Sequence, residues 1–218
     1  MFVHRALFQI QAMGHNRDFV HLMDATLEEW EKQGGKIDKE PTTVFKAEDL
    51  DLTKKTTYQA TDPQNVVDID EVKNIITELG GDEGDDKNAD AMIVDARSNE
   101  RFRGVVEEPR PGMRLGHMPG AKNLFFYSLL DEKNPEKFKP KEELETIIKE
   151  AGIDIHTDKR LVVSCGSGAT ACCVTEALRI LGRDPTNTFV YDGSWSEWGA
   201  EEDTPIVGPG RSSEDKDK

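Results

Sequence analysis

Cysteine, positive charge and long apolar runs are all scarce in this sequence. Three cysteines, two of them adjacent, cannot form a disulfide framework, and they favour a reducing compartment. Lysine and arginine number 28 against 43 acidic residues, and the net charge is −15. Such an acidic chain lacks the electrostatic footprint of a nucleic-acid or anionic-membrane partner. No apolar run approaches the roughly 20 residues of a membrane span. We therefore expect no nucleic-acid or membrane partner.

The length of 218 residues suits one domain plus a smaller unit, and the hydrophobic fraction of 36% suffices for one compact core. The N-terminal stretch has no acidic residue before Asp18 and carries Arg5 and Arg17, as transit peptides do. It has little serine, and an ordinary amphipathic helix is the alternative interpretation. We expect an intracellular protein, cytoplasmic or mitochondrial.

Residues 1–35 contain three short predicted elements. These are a helix over residues 5–13, a strand over Phe19–Met23 and a helix over Thr26–Gln33. Thr26 can cap the second helix, with Glu29 three residues further on, and Gly34-Gly35 ends it. Three elements cannot bury the faces of a sheet. The pattern therefore indicates part of a domain.

Residues 36–66 are rich in lysine and aspartate and contain Pro41 and Pro63, which is typical of an inter-domain linker. Strands and helices then alternate over residues 67–207. The predicted helices lie at Ile69–Leu79, Glu142–Ala151, Ala169–Leu181 and residues 194–200, and the strands in AMIVDAR, KNLFF, LVVS and TFVYD. This alternation predicts an α/β fold, a mainly parallel central sheet with helices on both faces. Residues 208–218 are predicted to be a disordered tail.

All three cysteines lie in RLVVSCGSGATACCVTEALRILG, a strand, a glycine-rich turn and a helix. The turn follows the carboxyl end of a strand, where α/β sheets place their sites. Gly166 and Gly168 allow the backbone N–H groups to turn inward, and the helix dipole adds positive potential. Cys165 is therefore a candidate thiolate nucleophile, although a buried structural cysteine would fit the same spacing. Cys172 and Cys173 lie within the helix and are interpreted as small apolar packing residues.

The segment DARSNERFRGVVEEPRPG supplies several arginines, which can bind a carboxylate bidentately. The alternative is a set of surface arginines paired with Glu100, Glu107 and Glu108, and it suits Arg103 best. His117 is expected to be a hydrogen-bonded turn residue rather than a base. The histidines and cysteines lack metal-ligand spacing, so we expect no metal site.

Three motifs in this order resemble the rhodanese-fold sulfurtransferases: AMIVDARSNERFRG with GHMPGAKN, then LVVSCGSGATACC, then FVYDGSWSEW. Residues 67–207 are similar to the C-terminal, catalytic domain of the two-domain thiosulfate/3-mercaptopyruvate sulfurtransferases. Residues 1–35 resemble only the end of the family's first domain, a partial rhodanese-like domain.

The resemblance implies that Cys165 accepts sulfur as a persulfide, that Ser167 helps in proton handling, and that Arg101 and Arg110 hold the donor's carboxylate. The active-site loop would also include Gly166, Gly168, Ala169 and Thr170. CGSGAT looks like the 3-mercaptopyruvate-preferring loop, with thiosulfate as the second choice of donor. The implied acceptor is cyanide or a thiol such as thioredoxin, and no cofactor is implied.

Two alternatives to this enzyme share parts of the sequence pattern. A phosphatase of related fold needs an arginine six positions after the cysteine, and position 171 is alanine. The other alternative is a non-catalytic rhodanese-fold binding module or inactive truncated form, which the incomplete first domain favours. The presence of Cys165, Arg101 and Arg110 favours the enzyme.

Overall fold

The structure is a computed structural model that describes residues 2–23, 25–40, 64–80 and 89–210. Most of the predicted linker and residues 211–218 of the predicted tail lie outside the described residues. Across the described ranges, none of the helices combines the length and the apolar character that crossing a bilayer requires.

The N-terminal part is helical. Helix α1 spans Phe2–Ala12, a 3-10 turn spans Arg17–Phe19 and helix α2 spans Leu27–Lys32. Thr26 and Glu29 form the predicted capping box, in which each side chain accepts the other residue's backbone N–H. The predicted strand over Phe19–Met23 is wrong, since these residues pair with no strand of the described chain and Phe19 is 78% exposed. Apolar residues without a neighbouring strand edge do not form a sheet.

The remaining elements alternate as the sequence indicates. The strands are β1 Val66–Val67, β2 Ala91–Asp95, β3 Leu115–His117, β4 Lys122–Asn123, β5 Arg160–Ser164, β6 Thr188–Tyr191 and β7 Val207–Gly210. The helices are α3 Ile69–Glu78, α4 Asn99–Phe102, α5 Lys141–Glu150, α6 Ala171–Ile180 and α7 Ser194–Trp198. Two 3-10 turns span Phe126–Leu129 and Pro185–Asn187.

Five strands form one parallel sheet in the order β1-β6-β5-β2-β4. Side chains alternate between its faces, as the two-residue period of a strand requires. Leu161 and Val163 of β5 join a core with α5 and α6, whereas Val162 joins a core with α3 and α7. The predicted α/β class, a mainly parallel sheet with helices on both faces, is confirmed.

Two predicted boundaries differ from the structure. The strand predicted over residues 122–126 ends at Asn123, because the chain turns into a 3-10 helix at Phe126. Residues 208–210, which the sequence places in a disordered tail, belong to β7 and pair antiparallel with β3. Gly116 and Gly208 allow this pairing, since a side chain at either position would collide with the opposite backbone.

Candidate active site

Cys165 directly follows β5, which lies at the centre of the five-stranded sheet. The neighbouring strands end at the same edge, β2 at Asp95 and β6 at Tyr191, followed by Asp192. The N–H of Ala96 donates to the carbonyl of Ser164 at 2.8 Å and extends the pairing to the start of the loop. The cysteine therefore lies at the carboxyl edge, where parallel sheets place their sites.

The loop from Cys165 to Thr170 curls against the N-terminus of α6. The backbone N–H of Ser167 donates to Sγ of Cys165 at 3.4 Å, and Cys165 is only 2% exposed. Gly168 has a φ of +74°, a left-handed conformation that turns the chain into the helix. Ser167 is exposed, while Ala169 and Thr170 are half-buried. An amide donor and a helix N-terminus thus both act on the sulfur.

The side chain of Ser194 holds the loop through hydrogen bonds. Its hydroxyl oxygen accepts the N–H groups of Cys165 at 3.1 Å and Gly168 at 2.9 Å, and donates to the carbonyl of Tyr191 at 2.8 Å. Gly168 therefore directs its amide away from the thiol, unlike the arrangement predicted from the sequence. The next residues of α7 continue the support: the N–H of Trp195 bonds to the carbonyl of Cys165, and that of Ser196 to the carbonyl of Gly166, each at 3.0 Å.

Arg101 and Arg110 approach the loop at Gly166. The guanidinium of Arg101 makes an ion pair with Glu108, and its Nη2 lies 3.0 Å from where a Cβ of residue 166 would be. Nη1 of Arg110 donates to Ser196 Oγ at 2.8 Å and to the carbonyl of Gly166 at 3.4 Å. Of the three side-chain nitrogens of Arg110, only Nη1 donates a hydrogen bond to a described residue. The two predicted arginines are therefore brought together with Cys165, and Arg110 keeps N–H groups available for an anion.

Arg97 is buried beneath these arginines. Its guanidinium donates to Asp95 and to Glu108 Oε1 at 2.7 Å, and lies 4.1 Å from the ring centroid of Trp195. Glu108 therefore forms ion pairs with both Arg97 and Arg101. The charges of these two arginines are balanced by the carboxylates of Asp95 and Glu108. Such buried ion pairs are held by their hydrogen bonds rather than by attraction alone. Glu108 was predicted only as a partner of surface arginines, in the alternative interpretation, and Ser194 was not predicted to take part in the site. The acid in EEPR and the serine in DGSW were the available signals.

The other candidate residues are structural in this arrangement. Burial raises the pKa of the thiols of Cys172 and Cys173 to about 12, as expected of packing residues. His117 accepts or donates a hydrogen bond at 2.7 Å to the carbonyl of Phe102, and burial lowers its pKa. It lies at the end of β3 rather than in the predicted turn. Arg103 is exposed. Within the described ranges, no three His, Cys, Asp or Glu side chains form a group that could hold a metal ion.

A thiol at the carboxyl edge of a parallel sheet, in a glycine loop with arginines beside it, matches one known class of protein. The family model described as a rhodanese-like domain matches residues 80–201, and the chain belongs to this family.

Individual relatives extend the similarity. The chain is 47% identical over 116 residues to 3-mercaptopyruvate sulfurtransferase of Escherichia coli K12, covering 53% of this chain and 39% of the relative. It is 31% identical over 215 residues to the mitochondrial thiosulfate/3-mercaptopyruvate sulfurtransferase 1 of Arabidopsis thaliana, covering 93% of this chain and 52% of the relative. The crystal structure of Tum1 from Saccharomyces cerevisiae superposes with a TM-score of 0.72 at 25% identity, covering 97% of this chain and 66% of that chain. The chain thus spans about half the length, or less, of these two curated relatives.

Proposed function

We propose that this protein is a sulfurtransferase that accepts sulfur from 3-mercaptopyruvate onto Cys165. The observation that carries the proposal is the position of the Cys165 sulfur. It accepts the amide of Ser167 in a loop at the N-terminus of α6, with Arg110 beside the same loop. The names of the Escherichia coli and Arabidopsis relatives support this choice of reaction.

The proposed half-reaction begins with the Cys165 thiolate attacking the sulfur of 3-mercaptopyruvate. A sulfur–sulfur bond forms, the carbon–sulfur bond breaks, and its electron pair passes to the methylene carbon as the enolate of pyruvate. A proton on that carbon gives pyruvate, and the donor's thiol proton leaves the new persulfide. The amide of Ser167 and the dipole of α6 stabilise the thiolate before the attack and the persulfide after it.

Three side chains complete the proposed site. The N–H groups of Arg110 that are not used by Ser196 and Gly166 bind the donor's carboxylate, as a guanidinium fork does. Arg101, oriented by Glu108, lies against the loop at Gly166, and we assign it with Arg110 to holding that carboxylate. The exposed hydroxyl of Ser167 lies within the loop that holds the sulfur, and we assign it to proton transfer.

The finer parts of the proposal follow the family resemblance. Thiosulfate is the second donor, and cyanide or a thiol such as thioredoxin is the acceptor. We propose that residues 67–207 form the catalytic domain, that residues 1–35 form part of a first rhodanese-like domain, and that residues 36–66 link them. We propose a cytoplasmic or mitochondrial location. The Arabidopsis relative is named as a mitochondrial protein, which is consistent with the second of these locations.

Intact-mass spectrometry of the reduced protein after brief exposure to 3-mercaptopyruvate tests the proposal. We expect a gain of one sulfur, about 32 Da, that is absent in Cys165→Ser and retained in Cys172→Ser. Without any gain in a protein that still unfolds cooperatively, the proposed activity would be wrong. The non-catalytic module would then be the better interpretation.

A further inference from the structure

Helix α1 packs directly against the catalytic part of the chain. Its Leu7 and Ala12 are buried, and Phe8 contacts the core that contains α6. The backbone N–H of Gln64 donates to the carbonyl of Ala12 at 2.8 Å and fixes the end of the helix. One face of α1 is therefore held at a defined position on α6, the helix that follows the cysteine loop.

This packing brings Arg5 to the loop. Nη1 of Arg5 lies 2.5 Å from Oδ1 of Asp192, and the two side chains are 21% and 52% exposed. A Cβ at Gly168 would lie 3.0 Å from the same Nη1 and 2.9 Å from the same Oδ1. The ion pair therefore lies against Gly168, and a side chain at this position would have to displace it.

Asp192 connects this ion pair to Ser194, the residue that holds the cysteine loop. It directly follows β6 and lies two residues before Ser194, whose hydroxyl accepts the N–H groups of Cys165 and Gly168. Ser194 has a φ of +52°, so the turn between β6 and α7 is held in a conformation that side chains rarely adopt. A carboxylate anchored at this turn restrains both sides of the loop, Gly168 directly and Cys165 through Ser194.

We infer that Arg5 is a positioning residue for the sulfur-transfer site: through its ion pair with Asp192 it holds the β6–α7 turn, and thereby the loop that carries Cys165. The inference deepens the proposed function and rests on it. It gives the N-terminal helix a part in the reaction that neither the motifs nor the comparisons assign.

The electrostatics agree with a positioning role. Burial opposes the charge on Arg5, but the hydrogen bond and attraction of Asp192, with a smaller contribution from Cys172, raise the pKa of Arg5. Because the guanidinium is balanced by this carboxylate, the pair adds no net positive charge for an anionic donor. Loss of Arg5 should therefore lower the rate of sulfur transfer more than the affinity for the donor.

The test compares Arg5→Ala, Asp192→Asn, the double variant and Arg5→Lys in the full chain. Two quantities are measured: steady-state kcat and KM with 3-mercaptopyruvate and cyanide, and the rate at which iodoacetamide alkylates Cys165. We expect Arg5→Ala to lower kcat by about tenfold with KM changed by less than about twofold, as displacement of a reacting group does. The rate at which Cys165 is alkylated should also differ from that of the wild type. Arg5→Lys should bring both kcat and the alkylation rate back close to the wild-type values.

A double-mutant cycle separates this role from general stability. If Arg5 acts through Asp192, the double variant should be no slower than either single variant. Lys137→Ala is the matched control, because it removes the 2.8 Å ion pair with Glu29, a bond between the same two parts of the chain that does not touch the loop. It should leave kcat unchanged.

Several outcomes would overturn the inference: wild-type kcat and alkylation in Arg5→Ala, additive losses in the double variant, or a rise in KM alone. If Arg5→Ala does not fold, Arg5→Lys and Asp192→Asn still decide it, since retained kcat in Asp192→Asn contradicts the role. If the wild-type protein gains no sulfur from 3-mercaptopyruvate, the proposed function is wrong. The alkylation rates then still report whether Arg5 positions Cys165.

Discussion

The hydroxyl of Ser194 bonds to the backbone N–H of Cys165 at 3.1 Å, although 29 residues separate them in the sequence. The same oxygen accepts the N–H of Gly168, so one side chain holds the loop at two positions. Ser194 is fully buried. The conformation of the loop therefore depends on a residue from the following βα unit.

Ser194→Ala should lower the free energy of unfolding by about 1–3 kcal/mol, since it leaves two buried N–H groups without an acceptor. Urea denaturation followed by circular dichroism measures the loss. Ser194→Gly is the informative companion, because glycine relieves the positive φ but also removes the hydroxyl. We expect Ser194→Gly to be less stable than the wild type. A Ser194→Gly protein as stable as the wild type would show that the hydrogen bonds contribute no more than the strain of the turn costs.

The two glycines of the loop should respond differently to alanine. At Gly168 the φ of +74° strains any side chain, and the new Cβ would lie 2.9 Å from the backbone carbonyl of Asp192. At Gly166 the new Cβ would meet only the end of the Arg101 side chain, at 3.0 Å. We expect Gly168→Ala to cost about 1–3 kcal/mol in stability and Gly166→Ala less than about 1 kcal/mol with a higher KM for the donor. Thermal unfolding and kinetics of both variants test the order, and equal stability losses would contradict it.

Arg110→Ala should raise KM for 3-mercaptopyruvate by about tenfold or more, because a charge-assisted hydrogen bond to the carboxylate is lost. The effect on thiosulfate, which has no carboxylate, should be much smaller. Steady-state kinetics with both donors give the comparison. Arg103→Ala, an exposed arginine of the same segment, should leave both KM values unchanged. Equal effects of Arg110→Ala on the two donors would mean that Arg110 does not recognise the carboxylate.

The buried thiols of α6 should make the protein less stable in alkali. Burial raises the pKa of the Cys172 and Cys173 thiols to about 12 in the folded chain, from an ordinary value of 9.0. Between these values the unfolded chain releases protons that the folded chain keeps, so stability is full below pH 9 and falls as pH rises toward 12. The slope is at most about 1.4 kcal/mol per pH unit for each thiol.

Urea denaturation between pH 8 and 11 measures this slope for the wild type and for Cys172→Ala/Cys173→Ala. The double variant should show a shallower decline, whatever its stability at neutral pH. The decline in stability that remains in the double variant is expected to include a contribution from Tyr191, whose pKa is raised by burial and by the hydrogen bond with Glu197. An identical slope in both proteins would mean that the thiols ionise normally in the folded state.

Elements with a strong apolar period were predictable from the sequence. Helix α3, with Val72, Ile75 and Ile76 on its buried face, and the strands β2, β5 and β6 lie within a few residues of their predicted positions. The short strands β1, β3 and β7 were not predicted, because each has too few apolar residues to show a period and is defined by its pairing partner. The predicted strand at Phe19 failed for the converse reason, since it has apolar residues but no partner among the described strands.

The site was predictable only in its central residues. Cys165 follows a buried strand, and Arg101 and Arg110 come from the motif that the family resemblance assigns to carboxylate binding, so the resemblance implied arginines near the cysteine but not their position at Gly166. Ser194 and Asp192 act by contacts with segments far apart in the chain, and their neighbours in the sequence do not identify those contacts. Glu108 lies only 7 and 11 residues from Arg101 and Arg97, but its position between the two guanidinium groups depends on the fold. Arg5 lies on an amphipathic helix whose docking site could not be read from its own sequence.

The pairing of β1 with β6 has a consequence for the order of folding. Asn65, just before β1, donates from its side chain to the carbonyl of Pro185, 120 residues later in the chain. During synthesis from the N-terminus, β1 and α1 cannot reach their partners until β6 and α6 have emerged. Such late, long-range pairing slows folding and leaves early segments open to proteases and chaperones. The cysteine loop therefore takes its final shape only after the turn that carries Ser194 has been synthesised.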